Sequence, residues 1–328
     1  MKNDFCDVIV LGLVVIDVTA APADSRIFDR DNTDMETISM AVGGDAANQA
    51  VLLAKLGRKV SLSCRVGDDA FGSFIASQMQ KHGVDTSRIS VSADSATGVS
   101  IVLVSEGGKR CFLCKRGNNR DFCRADLDFS HIARARALSV ASLLALPGLE
   151  NEGLLELLKT VKKSGLLTFA DAMIRRKDAS LSDISAFLPY IDYFMPSEEE
   201  CRRLLYGCSV LDAAQSFIDA GAANVVIKQG SKGVYANCAD FTGHVPAFAI
   251  KPKDTTGSGD AFCAGLIHAK LAGAGTREAL NFACACGAFN AMHLGAAGCP
   301  ISDDVISAFL KTTQRTDGSV TKNPVIHR

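Results

Sequence analysis

Val8-Ile9-Val10-Leu11-Gly12-Leu13-Val14-Val15-Ile16 is the stretch from which the fold can be read. It is rich in β-branched residues, apolar on both alternation phases, and too short for most helices. It reads as one strand buried on both faces, the pattern of a parallel sheet covered above and below. Working outward, similar runs recur at residues 60–64, 137–146, 166–170, 190–195 and 225–227. Segments of helical spacing lie between and after them, at residues 46–56, 72–82, 153–163, 198–206 and 212–220. This alternation predicts βαβ units and an α/β fold, a three-layer sandwich with a mostly parallel central sheet.

Two segments break the rhythm. Residues 17–40 are polar, rich in Asp and Thr, and lack a helical period. Residues 98–117, GVSIVLVSEGGKRCFLCKRG, read as a β-hairpin turning at Glu106-Gly107-Gly108-Lys109. Two ordinary surface excursions would give the same text. The Gly-Gly hairpin signal favours a small β-sheet outside the main layers, acting as a lid. No internal repeat or low-complexity tract is present, so residues 1–328 read as one domain, with a loose polar tail from about residue 316.

Bulk properties narrow the function. A net charge of −1 gives no electrostatic case for nucleic acid or a membrane surface, and six His, four Tyr and no Trp supply base-stacking platforms poorly. No run approaches the roughly 18 apolar residues of a membrane span. The opening residues, Met1 to Cys6, lack the pattern of a secretory leader, so a cytoplasmic location is expected and the twelve Cys are expected to be reduced. Cys111 and Cys114, three apart on a strand, should point to opposite faces, which argues against a metal or redox pair. A small-molecule protein is the class that remains.

The chemistry concentrates in Asp254-Thr255-Thr256-Gly257-Ser258-Gly259-Asp260, which leads into a long apolar helical segment. Glycines let backbone approach a ligand, and a helix start offers N–H groups to an anion. Such a turn could hold a transferring phosphate, with Asp260 placed to accept a proton from an attacking hydroxyl. A helix start with a flexible Gly-rich lead-in, where Asp260 only favours the dipole, is the plainer alternative. The motif is neither a Walker A loop nor a dinucleotide-binding GxGxxG.

Taken together, DTTGSGDAFCAGL, Gly43-Gly44-Asp45-Ala46-Ala47-Asn48-Gln49-Ala50 and Cys64-Arg65-Val66-Gly67-Asp68-Asp69-Ala70-Phe71-Gly72 resemble the signatures of the ribokinase-like (PfkB) carbohydrate kinases, in the family's order. The resemblance covers nearly the whole chain and implies an α/β sandwich with a β lid. It implies Asp260 as catalytic base and the backbone of Gly257, Ser258, Gly259 and Asp260 as anion hole. Asp17, closing the first strand, with Gly43, Gly44, Asp45 and Asn48, is implied to contact a sugar. Ser197, Glu200, Lys228, Gly230, Gly233, Cys284 and Asn290 are implied to surround ATP. Glu200 would hold Mg²⁺ through water, and Asp254 with the Thr256 carbonyl would bind a monovalent cation, K⁺. A homodimer joined through the lid sheets is a further implication.

Departures from the family pattern are specific. Ser197 stands where the family's N-x-x-E motif has Asn, and Met173 where D-x-N-x-R has Asn. Asp45 stands where ribokinases proper often carry Lys, and no carboxylate beside Pro147-Gly148 matches their Glu. Lys109, Arg110, Lys115 and Arg116 on the hairpin leave open an acidic substrate or a merely solvated edge. A neutral pentose or hexose leads, a nucleoside or sugar acid follows. A sugar-sensing protein with weak catalysis stands as the rival from another class. A dehydrogenase lacks its fingerprint after the first strand.

Overall fold

The opening apolar run divides at Gly12 instead of forming one strand. In the computed structural model, which describes residues 6–319, Val8–Leu11 is β1 and Val15–Ala21 is β2. The chain leaves one sheet and enters another where a Cβ on Gly12 would lie 2.9 Å from Ser142 Oγ. Both halves are apolar, so periodicity alone does not reveal the break.

The large sheet takes β4 (Val60–Gly67), β5 (Ile89–Ser92), β8 (Ala137–Leu143), β9 (Leu167–Ala172), β10 (Tyr193–Phe194) and β11 (Val225–Lys228), with the hairpin β12 (Gly233–Cys238) and β13 (Phe241–Pro246). Its order is β13-β12-β11-β10-β9-β8-β1-β4-β5. All pairings from β5 to β11 are parallel, and β12 and β13 form an antiparallel edge. The α/β sandwich expected from alternation is therefore present.

Helices α1 (Asp45–Lys55), α2 (Ala70–Lys81), α3 (Phe129–Ile132), α4 (Glu152–Lys163), α5 (Glu198–Leu204) and α6 (Val210–Asp219) alternate with these strands. Three more, α7 (Ser258–Leu271), α8 (Thr276–Ala291) and α9 (Asp303–Thr312), follow the edge hairpin. Strand alternation splits the core in two. Val8 and Val10 of β1 join Leu52, Phe262 and Phe282 on one face; Ile9 and Leu11 join Leu157, Phe194 and Phe217 on the other. Central α7 is buried along nearly its whole length, which is why its sequence reads as apolar all round.

The two irregular segments pair into a second sheet. With β3 (Thr37–Gly43), β6 (Val99–Val104) and β7 (Arg110–Lys115), the order is β3-β2-β6-β7. The β2–β3 and β6–β7 pairs are antiparallel, and β2–β6 is parallel. Register places Ala41, Asp17, Ser100 and Cys114 in one row, and Met40, Val18, Ile101 and Leu113 in the next, on the opposite face. Cys111 and Cys114 accordingly face opposite ways.

The tail departs from expectation up to residue 319. Thr316 N donates to Ala247 O, Arg315 N to Ser319 O, and the Arg315 guanidinium stacks 4.2 Å from the Phe248 ring centroid. These contacts hold Arg315 and Thr316 against the main body, and the bond to Ser319 closes a turn after them; residues 320–328 and 1–5 lie outside the described residues. No helix among the described residues is long and apolar enough to cross a membrane.

Candidate active site

The Gly-rich turn becomes the start of α7. Gly257 precedes the helix with φ +71°, a left-handed conformation, and a Cβ there would lie 2.1 Å from Ala296 O. Among the described residues no side chain caps this start. Ser258 Oγ is buried without a hydrogen-bond partner, although it borders a cavity of about 520 Å³. A polar wall left unpaired beside a helix N-terminus suits an anion.

Asp260 lies in the first turn of α7, buried, and held by the helix at the other signature. Asn48 Nδ2 donates to its Oδ2 at 2.8 Å, and Gln49 Nε2 approaches Oδ1 at 3.5 Å. Burial raises the Asp260 carboxyl to about 7; the Asn48 bond opposes that rise, and the Asp171 charge adds to it. Asn48, expected to touch a sugar, gives one amide hydrogen to this carboxylate. Gln49 escaped the sequence reading. It is fully buried, and Ser139 Oγ donates to its Oε1 at 2.8 Å, fixing which end of the amide faces Asp260.

Gly43 and Gly44 make room. A Cβ on Gly43 would sit 2.0 Å from Asp17 Oδ2, and one on Gly44, whose φ is +95°, would lie 2.4 Å from Leu13 O. Asp17 is the third residue of β2, within the small sheet, and does not close the first strand of the large one. Burial raises its carboxyl, and a bond from Ser100 works against the rise. Asp45 opens α1, where Ser142 Oγ approaches its Oδ2 at 3.3 Å. Desolvation first, then the charge of Asp260, pushes the Asp45 carboxyl well above its ordinary range.

On the cavity side, Ser197, Glu200, Lys228, Gly230, Gly233 and Cys284 line one space together with Ser258 and Gly259. Ala247, Phe248, Ile250, Pro252 and Ala288 supply an apolar wall of the kind a flat ring needs. Asn290 does not line this space. It is buried behind the turn, and its Nδ2 donates to the Thr256 carbonyl at 2.9 Å. Ser197 caps α5: its hydroxyl donates to Glu200 Oε2 at 2.8 Å and accepts from Glu200 N at 3.2 Å. That hydroxyl serves the helix, not a phosphate.

Lys228 has a partner the sequence left unpaired. Its Nζ reaches both oxygens of Asp171 at 2.6 Å, nine-tenths out of solvent, and lies 3.7 Å from Cys263 Sγ. Burial would lower the Lys228 ammonium, but the attraction of Asp171, Cys263 and Glu200 together raises it. Besides Asp171, the carboxyl groups of Asp45, Glu200 and Asp260 all feel the charge of this one ammonium. Glu200 is raised by burial and by Asp171. The excess of negative charge suits a hydrated divalent cation brought with a polyphosphate, because Mg²⁺ keeps much of its water. Among the described residues no three His, Cys, Asp or Glu side chains converge as a closed metal cage.

A carboxylate does lie near Pro147, three residues beyond it. Glu150 Oε1 accepts from Leu146 N at 3.0 Å, and burial, opposed by backbone bonds, raises its carboxyl to about 7. It holds the turn that ends β8. Its polarity in an apolar stretch was the available signal.

The expected cation pair fares differently. Arg110 of β7 donates from Nη2 to Asp254 Oδ1 at 2.6 Å, and from Nη1 to Thr256 Oγ1. Asp254 also accepts from Thr256 N at 2.9 Å and Gly295 N at 3.0 Å. Burial would raise the Asp254 carboxyl, but these bonds outweigh it and hold it at about 2. With the Arg110 guanidinium already bound to Asp254, these residues do not fit a second, monovalent cation.

Comparison with known proteins identifies the family. "Probable fructokinase-7" of Arabidopsis thaliana is 30% identical over 292 residues, covering 84% of this chain and 85% of that protein. The 5-dehydro-2-deoxygluconokinase of Clostridium perfringens is 28% identical over 290 residues, covering 84% of each chain. The structure of Arabidopsis thaliana ribokinase complexed with ribose and ATP superposes with a TM-score of 0.77 at 23% identity, covering 94% of this chain and 99% of that one. Residues 6–303 match the pfkB family carbohydrate kinase description, and the chain belongs to that family.

Proposed function

We propose that this kinase transfers a phosphoryl group from ATP to a hydroxyl of a small sugar, with Asp260 as general base. The observation that carries the reading is Asp260 itself. It is a buried carboxylate poised at about 7, one turn into a helix whose uncapped start borders the cavity. A base near neutrality can take a proton and still be ionised when needed. The acceptor hydroxyl passes its proton to Asp260 while its oxygen attacks the γ-phosphorus of ATP, and the bond to the β–γ bridging oxygen breaks so that ADP leaves. Backbone N–H groups at Gly257, Ser258 and Gly259 meet charge on the phosphate. ATP supplies the phosphoryl group; Glu200 would hold Mg²⁺ through water, and the ion would neutralise charge on the phosphate oxygens. Asp17 grips sugar hydroxyls as the small sheet closes as a lid.

A sugar acid is the second reading, favoured by Arg116. It directly follows β7 and is part-buried, and burial, then repulsion from Arg175 and Arg120, lowers its guanidinium. Arg110, by contrast, is already bound to Asp254. We place the reaction in the cytoplasm, where twelve free thiols stay reduced.

The test is coupled ADP release with ATP and Mg²⁺ across pentoses, hexoses, sugar acids and nucleosides. Turnover should depend on one acceptor, and Asp260→Asn should lower it by roughly 10² or more while ATP still binds. Equal turnover in that variant would remove Asp260 from the role of base.

A further inference from the structure

We infer that the guanidinium of Arg110 replaces the monovalent cation at the turn before α7, so that the small sheet itself delivers the positive charge that steadies the anion hole. This rests on reading residues 257–260 as the phosphate-binding turn.

Arg110 opens β7 opposite Val104, on the same alternation phase as Phe112 and Cys114, and therefore on the face that carries Asp17 and Ser100. From there its fork reaches two acceptors 144 and 146 residues away in the chain. Asp254 and Thr256 lie immediately before Gly257, so the contact braces the turn that ends in Asp260. A planar guanidinium satisfies two oxygens at fixed spacing, which a spherical ion does not require.

Oxygen geometry separates the two occupants. A bare cation needs several oxygens whose lone pairs point at one centre, replacing its water. Here Asp254 Oδ1 accepts from Arg110 and from Thr256 N, Oδ2 accepts from Gly295 N, and the Thr256 carbonyl accepts from Asn290. Of these donors only Arg110 brings a positive charge, and its hydrogen takes the side of Asp254 Oδ1 that an ion would need. A second positive charge beside the guanidinium would also be repelled. The low acidity range of Asp254, about 2, is in keeping with a permanent cationic partner.

The consequence for the reaction is a link between the two sheets. Where a dissolved ion would serve the turn whatever the small sheet does, Arg110 serves it only when β7 is close. The turn then gains its charge as the small sheet covers the site.

Arg110→Met, Asp254→Asn and the double variant test this with two readouts. The first is the melting temperature of each unliganded protein in KCl and in choline chloride at matched ionic strength. The second is phosphotransfer in the same salts. Wild type should melt and turn over equally in both. Arg110→Met should lose at least about tenfold in turnover in choline, by analogy with a weakened anion hole. KCl should restore that turnover and raise the variant's melting temperature, as any ligand of the folded state does. The double variant should lose both responses to K⁺. A wild type that needs K⁺ or is stabilised by it overturns the inference. So does an Arg110→Met that behaves like wild type in choline, or one whose loss K⁺ leaves unrepaired in both readouts. If no acceptor is phosphorylated by any of these proteins, the proposed reaction fails, while the melting comparison still decides the cation question.

Discussion

Asp260 ties two distant signatures together through one hydrogen bond, and that bond sets a pH dependence. The carboxylate must be ionised to accept a proton, so turnover should rise as pH passes about 7. Asn48 donates to the ionised form and therefore lowers the Asp260 pKa. In Asn48→Ala the carboxyl should hold its proton to higher pH, moving the acid limb of the kcat profile upward. The loss should be larger at pH 6 than at pH 9. A limb that stays in place would mean that another group controls it. Asp260 itself was legible in the sequence because small residues, an acid and an apolar helix stand in a fixed order. Gln49 and Ser139 were not: a buried amide on a helix bonded to a serine on a strand 90 residues away has no local pattern. The Asp171–Lys228 pair, 57 residues apart, was hidden for the same reason.

At the level of elements, the turn before α7 depends on one glycine. Gly257 has φ +71°, and Ala296 O occupies the space a side chain would take. Left-handed backbone costs an ordinary residue about 1–2 kcal/mol, before any clash. Gly257→Ala should therefore lower unfolding free energy by at least about 2 kcal/mol in urea denaturation and weaken ATP binding measured by calorimetry. Retained affinity would place the phosphate elsewhere. Most parallel strands were readable because each is apolar on both phases. The division of the first run into β1 and β2 was not, since Leu13 and Val14 are as apolar as their neighbours and only the fold shows the chain changing sheets. The run at 190–195 shrank to the two-residue β10, because Leu188–Tyr190 forms a single 3₁₀ turn before it. Asn290 was misplaced for a related reason: helical periodicity locates α8 but does not say which face meets the cavity.

For the whole molecule, the small sheet presents its two faces to different surroundings. One carries Asp17, Ser100 and Arg110. The other exposes Ile38, Met40, Ile101 and Leu113, with Ile38 71% accessible. Apolar side chains grouped on one strand face mark a surface meant for cover. We propose that a second copy covers it. Sedimentation should then show a dimer, and Ile38→Lys combined with Leu113→Lys should yield monomers that still bind ATP. A monomeric wild type at high concentration would end this reading. Strand alternation has a practical use as well. Cys111 shares the exposed apolar face, and Cys114 lies 3.5 Å from Ser100 Oγ on the other. The native chain thus carries two thiol handles three residues apart: a fluorophore on Cys111 would report association, and one on Cys114 would report what happens over the sugar.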